Sequence, residues 1–255
     1  FLSPDGIRSV AATARIGDTE LGSVSRQIQS VTSKIARDVD DFTITSCVLR
    51  RRSQYRLYYS TTGGAINRAK GIIGTLTKEG FEWAETEGIQ ATAIVSDFDS
   101  SGIEKIYHGD KNGYLYNHDV GNSFIDNGTA FNIDARYTTP FLDFGDVGTR
   151  KTMKYLKLSV APEGTVAPIL RTQYDFVDID VAQPEDINLS NIPVPPSFGL
   201  AVFGTSLFEG TSDPMARHVL EGSGHTVSFQ IKSDDQRPPY SLNGLYINYV
   251  PSGRR

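Results

Sequence analysis

Apolar residues recur at intervals of three and four in the segment LGSVSRQIQSVTSKIARD, at Leu21, Val24, Ile28, Val31 and Ile35. That spacing lines one stripe of a 3.6-residue period and predicts an amphipathic helix packed on a sheet, with Ser23 or Ser25 placed to cap its free N–H groups. After Asp41 the period changes to two. FTITSCVLRRR, SQYRLYYST, AKGIIGTLT and FEWAET are strand-length runs separated by Arg-Ser, Gly63-Gly64 and Glu79-Gly80, and together they predict one four-stranded unit. A second unit follows in TAIVSDFD, then IEKIYHGDKNGYLYNHD as two strands around the turn Asp110–Gly113, then GTAFNIDARY. The Asn-Gly pair in that turn favours the positive φ of a tight hairpin. Repeats of roughly 40 to 50 residues with four short strands each predict propeller blades. The opening GIRSVAAT is then the remnant of an earlier blade.

The pattern shifts again near residue 137. Tyr137–Arg150 (YTTPFLDFGDVGTR) has a Pro, two Gly and no clean alternation, which predicts a linker. KTMKYLKLSVAP, APILRTQYDF, FGLAVFGT, HTVSFQIKS and YSLNGLYINYV then read as antiparallel strands between long polar loops. The loop Ile192-Pro193-Val194-Pro195-Pro196 cannot lie inside a sheet, because proline supplies no ladder donor. The expectation is an all-β chain: a partial β-propeller with one inserted amphipathic helix over 1–136, a linker over 137–150, and a β-sandwich or jelly-roll-like domain over 151–255.

Composition agrees. The 255 residues suffice for one or two domains with a sizeable core. With 38% hydrophobic and 22% charged residues, disorder, collagen and coiled coil are poor fits, while 12 Tyr and 13 Phe suit strands. The net charge of -5 is evenly spread, with 14 basic against 17 acidic residues in 1–135 and 11 against 13 in 136–255. Neither half has the basic excess of a nucleic-acid-binding domain. No apolar stretch approaches the ~20 residues of a membrane span, so the chain is expected to be soluble. The lone Cys47 can close no disulfide within the chain and build no Cys-based metal site. The opening FLSPDG, without an initiator Met or signal-like stretch, leads us to expect the C-terminal portion of a longer protein.

Catalytic strings are sparse. HExxH, GxSxG, Walker A and GxGxxG do not occur, so no catalytic residue, metal ion or cofactor is assigned. His108 and His118 flank the Asn-Gly hairpin and read either as strand-edge histidines or as a ligand pair. Asp97, Asp99 and Ser101 place oxygens at positions 1, 3 and 5 of a tight loop, as calcium loops do. Positions 9 and 12 are Lys105 and His108, so the closing carboxylate is missing and an Asx-type turn is the alternative. Glu82 with Glu85, or Asp178 with Asp180, are the carboxylate pairs a glycosidase would need. Arg50, Arg51 and Arg52 form the one dense basic run, either a solvated strand end or a phosphate or partner contact.

Particular strings add a family resemblance. FLSPDGIRSVAATARIGDTELGSVSRQIQ, SQYRLYYS with GIIGTL, IYHGDKNGYLYNHD, ARYTTPFLDFGDVGTRKTMKYLKLSV and PPYSLNGLYINYVPSGRR together resemble the tail-tube or nozzle proteins of short-tailed bacteriophages, among them the phage stabilisation proteins. The sharpest pieces are TPFLDFGD…RK from Thr139 to Lys151 and the end from Tyr240 to Arg255. The resemblance implies a non-enzymatic virion protein of the phage tail, assembled in the host cytoplasm. It further implies a hexameric ring that extends the portal-adaptor channel, meets the head-to-tail adaptor and the distal spike, needle or fibres, retains the packaged genome and conducts DNA. Phe141, Phe144 and Tyr246 are candidate ring contacts, with core packing as the alternative for each. A different reading is a receptor- or glycan-binding module in which Trp83 and surface tyrosines stack on sugars.

Overall fold

A computed structural model describes residues 2–4, 6–9, 23–61, 69–126, 128–189, 192 and 215–254. The chain is mostly β and divides into two compact units, Phe1–Val120 and Gly121–Arg255.

Unit 1 opens with a small hairpin, β1 (Leu2–Ser3) and β2 (Gly6–Ile7), followed by a 3-10 turn (Arg26–Ile28) and helix α1 (Gln29–Arg37). Four strands then run as an antiparallel meander: β3 (Phe42–Leu49), β4 (Gln54–Thr61), β5 (Lys70–Thr77) and β6 (Gly80–Glu87). These are the four runs expected from the alternation. The helix is shorter than the apolar stripe, yet Val24, Ile28, Val31 and Ile35 all join one cluster with Ile7, Leu57 and Ile72; Leu21 lies outside the described residues. Ser25 precedes the helical turn without capping it. Its Oγ accepts the Ile7 N–H at 2.8 Å instead, tying the β1–β2 hairpin to the helix start. Gly6–Ile7 therefore packs beneath α1 and pairs with β1 rather than forming part of an earlier blade; residues 10–13 of that expected blade lie outside the described residues.

A second antiparallel sheet holds β7 (Ala93–Phe98), β8 (Glu104–Gly109) and β9 (Leu115–Asn117). It has three strands where the sequence predicted four. The run GTAFNIDARY leaves the unit: β10 (Phe124–Asp126) pairs with β11 (Thr129–Phe131), and β12 (Ile133–Thr138) joins a sheet of unit 2. The division between units accordingly falls at Val120/Gly121 and not at 136/137.

Among its described residues unit 2 holds, besides the β10–β11 hairpin, two four-stranded sheets. One is ordered β12, β18 (Val227–Asp235), β14 (Ile169–Tyr174), β15 (Ile187–Asn188); the other is ordered β16 (Met215–Val219), β13 (Thr149–Pro162), β17 (Ser223–Gly224), with β19 (Tyr240–Arg254) paired along β13. Buried Met153, Leu156 and Leu158 of β13 share one core with Leu170 and Tyr174 of β14 and with Val227, Phe229 and Ile231 of β18. Alternation on each strand supplies these inward side chains. The segment expected as a linker is part of this unit. Thr139 exchanges bonds with Phe229 and Ser228, Leu142 bridges to Val227, and buried Lys151 donates from Nζ to the carbonyls of Asp146 and of His225. The proline loop after Ile192 and the expected strand FGLAVFGT fall outside the described residues.

Candidate functional site

Among the described residues of unit 1, a polar cluster is organised by β4. Tyr55, Leu57 and Tyr59 point to the helix side, while Arg56, Tyr58 and Ser60 point to the opposite face, against the β7–β8–β9 sheet. Arg56 is buried and bonds Gln54 Oε1 and both carboxylate oxygens of Asp119, the closer at 2.8 Å. Arg52 reaches the same carboxylate at 2.7 Å. Burial alone would raise the Asp119 carboxyl; the bonds and charges of Arg56 and Arg52 outweigh it and hold the group below its usual range.

The arginine run sits at the β3–β4 turn and serves the fold itself. Glu104 on β8 accepts the Arg50 and Arg51 backbone N–H groups at 2.9 and 3.0 Å, and the Arg51 guanidinium donates to the Gly102 carbonyl. An open pocket of about 340 Å³ lies here, lined by Leu49, Arg51, Arg52, Glu104, His118 and Asp119 among others. Its charges largely satisfy one another. Cys47, opposite Arg56 on β3, is half-buried, and burial pushes its thiol up to about 11, which makes it a poor nucleophile.

The hairpin histidines do meet. His108 Nδ1 lies 2.5 Å from His118 Nε2, His108 stacks on Tyr116, and His118 leans on Tyr58. One ring supplies the N–H and the other the lone pair, so the accepting ring must be neutral and the pair cannot hold a proton on all four nitrogens. Among the described residues no group of three or more His, Cys, Asp or Glu is gathered as a metal site. Burial, then the charges of His108 and Arg56, lower His118 from 6.5 to about 4. The unfolded chain therefore binds this proton first. Stability is full above the unfolded pKa and declines as pH falls from about 6.5 to about 4, by roughly 2–3 kcal/mol. Urea midpoints measured across that range are expected to fall with pH in the wild type and to flatten in His118→Gln.

Asp99 forms an Asx-type turn. Its Oδ1 accepts from Ser101 N, Ser101 Oγ and Ile103 N, and Asp97 Oδ1 accepts from Phe98 N, so the calcium-loop oxygens are engaged locally. Glu82 and Glu85 are three apart on β6 and so face opposite sides of the sheet. Asp178 and Asp180 lie in an exposed turn where Asp178 Oδ1 accepts the Asp180 N–H. Trp83 stacks on Phe81 and donates its indole N–H to the Val24 carbonyl, which engages the ring a sugar would need.

In unit 2, Phe144 is a core-edge residue stacked on Tyr249, and Phe141 pairs with Phe176, itself 73% exposed. Tyr246 is exposed on β19. A groove of about 260 Å³, lined by Ile133, Tyr137, Val166, Ile231 and Tyr240 among others, has its mouth charges paired off as Arg136 with Asp134 and Arg237 with Asp235. No family model matches the chain, and no curated protein matches it.

Proposed function

We propose that the chain is a structural subunit of a short-tailed bacteriophage tail nozzle, a ring that extends the portal-adaptor channel, retains the genome and conducts DNA during ejection. The observation that carries this reading is the meander β3–β4–β5–β6 followed by a second antiparallel sheet whose first strand, β7, lies against β3. A β-propeller repeats four-stranded up-and-down sheets around a central channel, and two consecutive meanders in contact suit neighbouring blades of one. Two sheets around a common core in unit 2 suit the sandwich-like domain that the resemblance pairs with the propeller. In the proposed setting six copies close a ring between the head-to-tail adaptor and the distal spike, needle or fibres, and the part played is architectural rather than catalytic. Negative-stain images and mass photometry of the purified protein are expected to show rings, and antibody against it to label virion tails. A particle that stays monomeric and never joins tail components would sink the reading.

A further inference from the structure

The bulk charge of unit 2 conceals a segregated one. Strands β13, β16, β17 and β19, which make up one sheet among the described residues, contain no Asp or Glu. On the outer face of that sheet Lys157 stands directly opposite Arg217 on one side and Tyr246 on the other, and the next row is Val219, Tyr155 and Asn248. Lys154 occupies the bulge between Met153 and Tyr155 and is exposed. Like charges facing each other across a sheet repel. Among the described residues, Lys154, Lys157 and Arg217 enter no ion pair, and the Arg217 guanidinium rests 4.3 Å above the Tyr155 ring. Val219 and Tyr246 are 68% and 54% exposed on the same face. Such a face is both basic and apolar, and the described residues leave it unmatched.

The same unit carries its complement. The segment DFVDIDVAQPED, from Asp175 to Asp186, has five acids and no base. Asp175 is spent on the His225 and Thr226 N–H groups and Asp186 on Arg171. Asp178, Asp180 and Glu185 remain exposed, beside Phe176 and Ile179, the latter 97% exposed. Three carboxylates with apolar neighbours thus answer three cations with apolar neighbours.

We propose that the β16–β13–β19 face of one copy receives the Asp175–Asp186 segment of a second copy. Two unlike patches meeting head to tail generate a closed ring or a filament, according to the angle between copies. Exposed aliphatic and aromatic groups on both patches favour a protein partner over nucleic acid, whose backbone offers charge alone, and the chain's net charge of -5 opposes general adhesion to a polyanion. This rests on the self-association contained in the proposed function, and it specifies the surfaces.

The test uses the full chain in analytical ultracentrifugation with two charge-reversal variants, one bearing Lys154→Glu, Lys157→Glu and Arg217→Glu, the other Asp178→Lys, Asp180→Lys and Glu185→Lys. Wild type is expected to associate, at least about tenfold more weakly when salt is raised from about 0.05 to 0.5 M. Each variant alone is expected to remain monomeric with wild-type circular dichroism, and an equimolar mixture to associate, a rescue that misfolded protein cannot give. Association unchanged in both variants overturns this interface and leaves the ring reading standing. Monomeric wild type overturns both. Retention of duplex DNA by wild type, lost in the basic-face variant with no change in association, overturns it in favour of a polyanion site.

Discussion

Asp119→Ala is expected to lower the unfolding free energy by about 3 kcal/mol. The carboxylate is the anionic partner of Arg56, whose side chain is only 5% exposed, and it also holds Arg52. Removing it leaves the Arg56 guanidinium buried with Gln54 Oε1 as its remaining bonded partner among those described. It also places alanine at φ 57, a left-handed conformation that aspartate and asparagine tolerate better. Asp119→Asn, which keeps an acceptor and the backbone preference, is expected to lose less than half as much. Adding Arg56→Met to Asp119→Ala should recover most of the loss, because an uncompensated buried charge, more than the missing attraction, sets the cost. Trp83 is the sole tryptophan and lies in unit 1, so its fluorescence in urea follows the relevant transition. A double variant less stable than Asp119→Ala would refute this account of the clamp.

Tyr174→Ala should destabilise unit 2 by about 4 kcal/mol, whereas Tyr174→Phe should cost about 1. The ring is fully buried at the end of β14 and its hydroxyl donates to the Glu221 carbonyl at 2.7 Å. Burial raises the phenol far above its ordinary range, so it stays a neutral donor. The surroundings are shaped around it: a Cβ added at Gly222 or Gly224 would come within 2.6 or 2.8 Å of the ring. Truncation to alanine therefore opens a cavity lined by backbone that cannot collapse cheaply, while loss of the hydroxyl alone leaves one carbonyl short of a bond. Hydrogen exchange of the β13 and β14 amides separates the cases. Equal protection loss in the two variants would mean that the hydrogen bond, and not the packing, dominates.

The same contrast between local and distant causes separates what the sequence foretold from what it did not. The stripe Val24, Ile28, Val31, Ile35 and the four runs from Phe42 to Glu87 were legible because helix and hairpin periodicity is set by neighbours a few residues apart. The antiparallel partners of β12 were not. Its residues Ile133 to Thr138 alternate equally well for either unit, and their pairing with Asp235 to Gln230 is decided about a hundred residues away. For the same reason Tyr137–Arg150 looked like a linker. Its glycines and aspartates are turn formers, yet its bonds run to β18.

The arginine triplet, the Asp97–Ser101 loop and the histidine pair were recognisable as groups, and their partners were not. Glu104 and Asp119 are charges like any other until the fold sets them against Arg50, Arg51, Arg52 and Arg56. The acid-free strings KTMKYLKLSV and YSLNGLYINYV were in plain view, but the even charge of the two halves masked them.

By itself the sequence determined element type, an all-β chain with one amphipathic helix, since those choices depend on periodicity and turn residues. Only the tertiary structure decided which strands share a sheet, where the units divide, which charges neutralise each other, and that Lys154, Lys157 and Arg217 are left together on one face. Pairing across long sequence separations is selected by burial and register, to which charge and composition averaged along the chain are blind.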